Sequence, residues 1–265
     1  MKNVGIIGCG NILETYLKAE KYFNNINFVA CADIDMDLAT KTSKENNLHA
    51  LTVDEILKDK NIDVILNITI PQAHYEVSKK CLLAGKHVYS EKPMSVKYEQ
   101  AKELLKISND KNIYIGNAPD TFLGGGGQLA RQLIDDGKFG KILTGNFIFA
   151  FPGVQDFHPK PESWYQEGGG PVIDMGPYFF TTLVNLLGPA KNIRGRGAKF
   201  FDKKEYKVGP NKGKFFDVEI PTSYMLNLEF ENKSKHKNFL FSTGIDLVYE
   251  FFNFESTTSN TLISK

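Results

Sequence analysis

The order of apolar segments in the first half of the chain constrains its fold more than any other feature. Short runs rich in β-branched residues, typical of strands, occur at 4–7, 28–32, 64–68, 87–89 and 114–116. Between them, residues 12–23, 38–46, 53–58, 73–84 and 96–108 carry apolar side chains at helical spacing. Gly85 is expected to end one helix and Ser95 to cap the next. Because this alternation is typical of repeated βαβ units, we predict an α/β Rossmann-type, doubly wound parallel sheet over residues 1–119.

The pattern changes after Pro119, which indicates a second domain over residues 120–265. The glycine run 124–127 leads to a predicted helix at 129–135, and a second helix is predicted at 178–187. Long alternation at 142–151 predicts an antiparallel strand with one exposed face, and further strands are predicted at 193–200, 223–230 and 238–242. Residues 203–214 read as an exposed loop or hairpin tip. We expect an α+β domain with a mainly antiparallel open sheet.

The balance of charges argues against several classes of ligand. With 32 basic and 31 acidic residues, the chain lacks the broad positive field that would attract nucleic acid or an anionic membrane. The sequence has neither a long apolar span nor a signal-peptide pattern, which predicts a cytoplasmic protein. Its three cysteines lack CxxC spacing, so we expect reduced, mostly buried thiols rather than disulfides or a zinc site. The ligand is therefore expected to be a small molecule.

The segment Gly8-Cys9-Gly10 follows the first predicted strand and opens the first predicted helix. In this context the first glycine permits a tight turn, and the second lets the backbone approach a pyrophosphate beside free helix N–H groups. Leu13 stands where a third glycine is usual, and it should push the helix outward without removing the phosphate contacts. We therefore predict a dinucleotide-binding turn.

Asp33 follows the second predicted strand, about 20 residues after Leu13, where a carboxylate can accept hydrogen bonds from the adenosine ribose. A 2′-phosphate would face this negative charge, and residues 32–35 contain no arginine to offset it. The position favours NAD over NADP. The alternative is that Asp33 only caps the turn before Asp37 and Leu38.

Two segments carry residues suited to chemistry. Glu91-Lys92-Pro93 directly follows the strand predicted at 87–89, at the sheet edge where open α/β folds bind ligands. Asp174 and Tyr178 flank a glycine and a proline at the start of a helix, so both side chains could reach one cleft. Taken alone, Lys92 could be a solvated surface residue, Asp174 a helix cap and Tyr178 a core aromatic residue.

Together these motifs resemble the Gfo/Idh/MocA oxidoreductases, the family of glucose-fructose oxidoreductase and inositol dehydrogenase. The resemblance covers nearly the whole chain and is carried by Gly8-Cys9-Gly10-Asn11, Asp33, Pro71-x-x-His74, Gly85-Lys86-His87-Val88-x-x-Glu91-Lys92-Pro93, and Gly168-Gly169-Gly170 followed by Asp174-x-Gly176. The Glu-Lys-Pro element after Gly-Lys-His-Val is the most specific of these motifs.

The resemblance implies an NAD-dependent enzyme that transfers a hydride between nicotinamide and a hydroxyl-bearing carbon of a sugar, cyclitol or related polyol. Lys92 would contact the nicotinamide and the reacting oxygen, Asp174 would hold the substrate, and Tyr178 would occupy the acid/base position. Hydride transfer needs a fixed cation for the developing alkoxide and a proton acceptor beside it. No catalytic metal is expected. The expected cofactor-binding residues are Gly8, Gly10, Asn11, Ile12, Asp33, Thr69, His74, Glu91 and Lys92.

The sequence departs from the family pattern at two places. Tyr178 stands where the family commonly has histidine, and an ordinary tyrosine, with a pKa of about 10, is a poor base near pH 7. We expect Lys92 to lower that pKa, so that polyol oxidation has an alkaline optimum. Relatives also continue past Thr261-Leu262-Ile263-Ser264-Lys265, so we expect a shortened sheet: its missing strands are dispensable, or a partner subunit covers its edge in a homo-oligomer, or the chain is truncated and inactive.

Other functions stay open at this point. An NAD-dependent glycosidase that acts through transient oxidation, or a non-catalytic sensor of NAD and a sugar, would need the same binding residues. The pairs Tyr75/Lys79 and Tyr98/Lys102 imitate the catalytic pair of short-chain dehydrogenases, but that family's glycine fingerprint is absent at the N-terminus. In the loop 151–167, His158, Trp164 and Tyr165 could form a wall that stacks on a sugar.

Overall fold

The computed structural model describes residues 1–230 and 239–245, with side chains described through residue 230. The chain divides into two compact units, Met1–Asp120 and a second that begins at Thr121. Within the described ranges no helix is long and apolar enough to cross a membrane. The expected early end of the second sheet, at residues 261–265, lies outside the described residues.

The first unit is a fully parallel sheet of six strands with connecting helices. Its strands are β1 (Lys2–Ile7), β2 (Ile26–Ala32), β3 (His49–Ala50), β4 (Val64–Asn67), β5 (His87–Ser90) and β6 (Ile115–Asn117). Its helices are α1 (Leu13–Ala19), α2 (Met36–Asn46), α3 (Val53–Lys58), α4 (Pro71–Leu83) and α5 (Tyr98–Lys111). The order β3-β2-β1-β4-β5-β6 is that of the doubly wound dinucleotide-binding fold, which confirms the predicted fold class.

Both faces of this sheet are buried, which explains why its strands are continuous apolar runs. Alternate residues of β1 point in opposite directions: Ile7 packs in a cluster with residues of α3, α4 and α5, whereas Ile6 packs in a second cluster with residues of α1 and α2. The same alternation separates Ile65 from Leu66 in β4. The strand order places β1 and β4 at the centre of the sheet.

The helix boundaries follow local signals, with two corrections. Gly85 follows α4 with a φ of +80°, as predicted for the end of a helix. The prediction that Ser95 caps the next helix is wrong, because Lys97 is the residue before α5 and the Ser95 hydroxyl donates to the Lys97 carbonyl. The helix begins two residues later than predicted, which places Ser95 outside the N-cap position. The helix predicted at 12–23 is divided into α1 and the short 3-10 turn Glu20–Tyr22.

The second unit combines a mainly antiparallel sheet with three helices among its described residues. The helices are α6 (Gly125–Asp135), α7 (Pro171–Asp174) and α8 (Gly176–Leu187), and the strands are β7 (Thr144–Phe149), β8 (Ala190–Ala198), β9 (Lys203–Glu205), β10 (Phe215–Asp217), β11 (Ser223–Phe230) and β12 (Phe239–Ile245). The main sheet has the order β7-β12-β11-β8. Its core includes Leu183 of α8 with Leu228 and Phe230 of β11.

One strand prediction in this unit is wrong, and the predicted exposure of the hairpin at 203–214 needs correction at one residue. Strand β11 is antiparallel to β8 and β12, but β7 lies parallel to β12, so the antiparallel prediction for 142–151 is wrong. Alternating exposure along β7 shows one exposed face, yet it carries no information about the direction of the neighbouring strand. Residues 203–214 do belong to a hairpin, formed by β9 and β10, but Tyr206 is buried against Phe216.

Candidate active site

The glycine turn begins where β1 ends, at the point where the strand order reverses between β1 and β4. Gly8 has a φ of +108°, and its N–H donates to the Ala32 carbonyl at 2.8 Å. A Cβ at this position would lie 2.7 Å from the carbonyl carbon and oxygen of Ile68. Both the backbone angle and the close approach of the Ile68 segment therefore require glycine at position 8.

Gly10 has no such requirement from the part of the chain that the structure describes. A Cβ here would meet none of the described atoms within 4 Å, and the residue is exposed. The open space beside its backbone suits the close approach of a pyrophosphate, which is the accepted reason for a glycine at this point of the turn. Cys9, Gly10 and Asn11 also line one end of a groove of about 580 Å³ that runs between α1 and α2.

Asp33 is held directly against the glycine turn. Its Oδ2 accepts the N–H of Cys9 at 2.7 Å, and its Oδ1 accepts the N–H of Asp35 at 3.0 Å. Asp33 therefore does cap the turn before Asp37 and Leu38, through the Asp35 N–H, whereas Asp35 accepts the N–H groups of Asp37 and Leu38 and caps α2 itself. Asp33 thus holds its own turn and also lies beside the residues predicted to contact phosphate.

The helix that follows the turn is anchored by the residue that departs from the glycine pattern. Leu13 is buried and packs in the cluster that contains Ile6 and Cys9. Asn11 and Ile12, the predicted cofactor-binding residues that precede it, are both exposed. The leucine therefore serves the packing of α1, while the residues of the turn remain accessible.

The loop after β4 is organised by a fully buried asparagine. Asn67 Oδ1 accepts the hydroxyl of Thr69 at 2.7 Å, and its Nδ2 donates to the carbonyl of His74 and the hydroxyl of Ser78. His74 itself is 1% exposed, and its Nδ1 and Nε2 lie 2.6 Å and 2.9 Å from the carbonyl oxygens of Pro93 and Thr69. His74 therefore joins the loop after β4 to the Glu91-Lys92-Pro93 turn.

The Glu91-Lys92-Pro93 turn follows β5 and forms hydrogen bonds with side chains of several elements. Glu91 Oε1 accepts the hydroxyl of Tyr16 of α1 at 2.8 Å, and Oε2 accepts the N–H of Lys92 at 2.9 Å. Asn117 of β6 donates through Nδ2 to the carbonyls of Ser90 and Glu91, both at 2.9 Å. Lys92 is half-buried. Within the first unit, the structure thus brings the predicted residues Thr69, His74, Glu91 and Lys92 into one connected network.

Asp174 and Tyr178 lie in the second unit, on either side of the junction between α7 and α8. Asp174 is the last residue of α7, and Tyr178 lies in the first turn of α8. Both side chains are half-buried. The alternative in which Asp174 caps α8 is wrong, because Met175 occupies the N-cap position.

Sequence reasoning missed Tyr16, Asn67 and Asn117. Each is a polar residue on a regular element, and the contacts of Tyr16 and Asn117 with Glu91 join residues 75 and 26 positions apart. Periodicity marks such positions only as half-buried. No local motif signals them.

The competing motifs have structural explanations. Tyr75 donates to Glu103 at 2.5 Å, and Lys79 pairs with the same carboxylate at 2.7 Å, so this pair ties α4 to α5. Lys102 pairs with Glu99 on an exposed helix surface. In the aromatic loop, the rings of His158 and Trp164 lie 4.7 Å apart, whereas Tyr165 is buried. All three cysteines are free and buried, as expected.

Solved structures confirm the fold. Levoglucosan dehydrogenase, in complex with NADH and L-sorbose, is similar with a TM-score of 0.79 and 20% identity over 93% of this chain and 67% of that one. The WlbA dehydrogenase of Bordetella pertussis, in complex with NADH and UDP-GlcNAcA, is similar with a TM-score of 0.77 and 19% identity over 94% of this chain and 73% of that one.

Sequence comparisons give the family. The D-xylose dehydrogenase of Paenarthrobacter nicotinovorans is 29% identical over 182 residues, which are 64% of this chain and 47% of that protein. The chain spans about half the length of the curated relatives it matches. Residues 2–117 match the model described as "Oxidoreductase family, NAD-binding Rossmann fold", and residues 128–239 match the "GFO/IDH/MocA C-terminal domain". Because the two models together span most of the sequence and agree with the observed fold, the chain belongs to the Gfo/Idh/MocA family of oxidoreductases.

Proposed function

We propose that this protein is an NAD-dependent oxidoreductase that transfers a hydride between nicotinamide and a hydroxyl-bearing carbon of a sugar, cyclitol or related polyol. One observation carries the proposal: three suitable features follow strands of the same sheet, around its central crossover. An exposed glycine with open space beside it follows β1, the Asp33 carboxylate follows β2, and the Lys92 turn follows β5. Ligands of open α/β sheets bind at this edge.

The residues present fit a dinucleotide. We propose that the backbone from Gly8 to Ile12 binds the pyrophosphate and that Asp33 accepts hydrogen bonds from the adenosine ribose. Thr69, His74 and Glu91 would shape the nicotinamide end. When bound, nicotinamide supplies the hydride chemistry. The ammonium group of Lys92 would stabilise negative charge on the reacting oxygen.

The substrate residues are proposed in the second unit. Asp174 would hold a substrate hydroxyl, and Tyr178 would exchange a proton with the reacting oxygen. The dehydrogenases of D-xylose and levoglucosan among the relatives and structural neighbours support a sugar or polyol as substrate. The exposed apolar residues Ile148 and Met225, both on strands of the main sheet, support a homo-oligomer formed through that sheet.

The proposal is tested by titration with NADH and NADPH, monitored by nicotinamide fluorescence, and then by a screen of cyclitols, aldoses and glycosides for absorbance change at the nicotinamide band. We expect NADH to bind more tightly than NADPH and at least one polyol to reduce NAD. Absence of binding by both coenzymes would contradict the proposal. Binding without turnover would indicate a sensor, and release of a sugar without NADH accumulation would indicate a glycosidase.

The acid/base role of Tyr178 has its own test. Tyr178→Phe removes the hydroxyl and retains the ring, so we expect a loss of kcat of about a hundredfold with unchanged NADH affinity. Wild-type oxidation should accelerate toward alkaline pH, and the variant should lose that dependence. Normal turnover and an unaltered pH profile would show that Tyr178 is not the proton acceptor. Light scattering of the wild-type protein would test the homo-oligomer, which a monomeric mass would contradict.

A further inference from the structure

Tyr16 makes a contact that the proposed chemistry does not explain. It lies in α1, the helix that follows the glycine turn, and its hydroxyl donates to Glu91 Oε1 at 2.8 Å. Glu91 belongs to the turn after β5. A single side-chain hydrogen bond therefore connects the helix beside the predicted phosphate site with the turn that carries Lys92.

The second oxygen of the same carboxylate continues this connection. Glu91 Oε2 accepts the backbone N–H of Lys92 at 2.9 Å. Because the two oxygens belong to one rigid, planar group, a hydroxyl that holds Oε1 also restricts where Oε2 can lie. The position of Tyr16 is thus transmitted to the backbone of Lys92 over two consecutive hydrogen bonds.

The Tyr16 hydroxyl keeps the proton that it donates to Glu91. Burial, and secondly the Glu91 carboxylate, hold the pKa of Tyr16 well above its usual value. Burial also raises the pKa of the nearby Tyr89 to about 12. Tyr16 therefore carries its proton near neutral pH and can donate it to Glu91.

We propose that Tyr16 is a positioning residue: by holding the carboxylate of Glu91, it fixes the backbone of Lys92 relative to α1. The part of this inference that concerns coenzyme and hydride transfer rests on the proposed function. The part that concerns the Lys92 backbone does not.

Other hydrogen bonds hold the turn after β5, so the effect of the Tyr16 hydroxyl can be measured in a protein that still folds. Asn117 still binds the carbonyls of Ser90 and Glu91, and His74 still faces the carbonyl of Pro93. Loss of the Tyr16 hydroxyl alone should leave the path of the chain intact while it releases the Glu91 carboxylate. The expected consequence is greater freedom of the Lys92 amide within a folded protein.

Tyr16→Phe tests this directly. In hydrogen exchange of the coenzyme-free protein, we expect the Lys92 amide to exchange about tenfold faster, as suits a weakened hydrogen bond to a charged group. Tyr75→Phe is the matched control, because Tyr75 also donates to a carboxylate within the first unit, at Glu103. That variant should leave the exchange of Lys92 unchanged.

The kinetic readout separates positioning from binding. With NAD and a substrate found in the screen, Tyr16→Phe should lower kcat about tenfold while the Kd for NADH changes less than about threefold. Combining Tyr16→Phe with Glu91→Gln should add little to either single change, because both variants act on the same carboxylate. Tyr75→Phe should match the wild type in kcat.

Different results would contradict the positioning role of Tyr16 and the proposed function. Unchanged exchange of Lys92 in a folded Tyr16→Phe protein would overturn the positioning role, whatever the coenzyme results. Fully additive effects of the two variants on kcat would also overturn it. Faster exchange in a protein that binds neither NADH nor NADPH would support the connection from Tyr16 to Lys92 and contradict the proposed function instead.

Discussion

Different physical constraints favour glycine at positions 8 and 10 of the same turn. At position 8 the protein itself excludes a side chain, because φ is +108° and the Ile68 backbone lies close. A Cβ at position 10 would meet no atom of the described residues within 4 Å, so in our proposal the coenzyme is what excludes a side chain there. Substitution of each residue by alanine therefore separates folding from binding within one motif.

We expect Gly8→Ala to lower the free energy of unfolding by about 2 kcal/mol or more, because strain and a steric clash add together. Gly10→Ala should change it by less than about 1 kcal/mol and weaken NADH binding at least about tenfold. Urea unfolding and NADH titration of both variants measure these effects. Wild-type affinity in Gly10→Ala would show that no phosphate lies against this residue.

In our proposal, the Asp33 carboxylate serves both the fold and the choice between NAD and NADP. Asp33→Asn keeps an oxygen that can accept the Cys9 N–H but removes the negative charge. We expect the preference for NADH over NADPH to shrink about three- to tenfold, because a 2′-phosphate then meets no repulsion. The ratio of the two dissociation constants measures the effect. An unchanged ratio, or a wild-type preference for NADPH, would remove Asp33 as the selectivity residue.

At the scale of elements, α4 and α5 are joined by a charged cluster of Tyr75, Lys79 and Glu103. The hydrogen bond from Lys79, followed by that from Tyr75, holds the pKa of Glu103 below its usual value. A carboxyl whose pKa is lowered by folding contributes stability above its unfolded pKa and loses it as the pH falls through the folded pKa. The charged part of the contact between the two helices should therefore weaken as the pH falls through the pKa of Glu103.

Glu103→Gln tests this contact. We expect the variant to have a lower Tm than the wild type at pH 7, and the difference should shrink as the pH falls below about 4.3, the ordinary range of glutamate. Glu99→Gln is the control, because Glu99 pairs with Lys102 on the exposed surface of α5 and should change Tm little at either pH. A Tm difference for Glu103→Gln that persists in strong acid would assign its effect to packing rather than charge.

At the scale of the whole molecule, the core of the first unit is built from that unit's own residues. Its six strands form a separate sheet, and the buried clusters on both faces are built from residues of that unit. We therefore expect residues 1–120, expressed alone, to unfold cooperatively and to bind NADH within about tenfold of the full chain. Circular dichroism and NADH titration would measure this. A fragment without a cooperative transition would show that the unit depends on the rest of the chain.

Much of the first unit could be predicted from local patterns. Strand β4 and helix α3 were expected from apolar spacing, and the glycine turn was expected from its place between a strand and a helix. These features depend on side-chain periodicity and on backbone sterics over a few residues, which a sequence shows directly. Ser95 does not cap α5 because the helix begins two residues later than the apolar spacing predicts, with Lys97 at the N-cap position.

Local sequence patterns predict the parallel sheet, the glycine turn after β1 and the resemblance to an oxidoreductase family. The meetings of distant groups are visible only in the folded protein: Asp33 with the Cys9 amide, Tyr16 with Glu91, and β7 parallel to β12. The difference lies in the range of the interactions. Steric limits and periodicity act between near neighbours in the chain, whereas these hydrogen bonds form only after the order of the strands has brought residues from separate elements together.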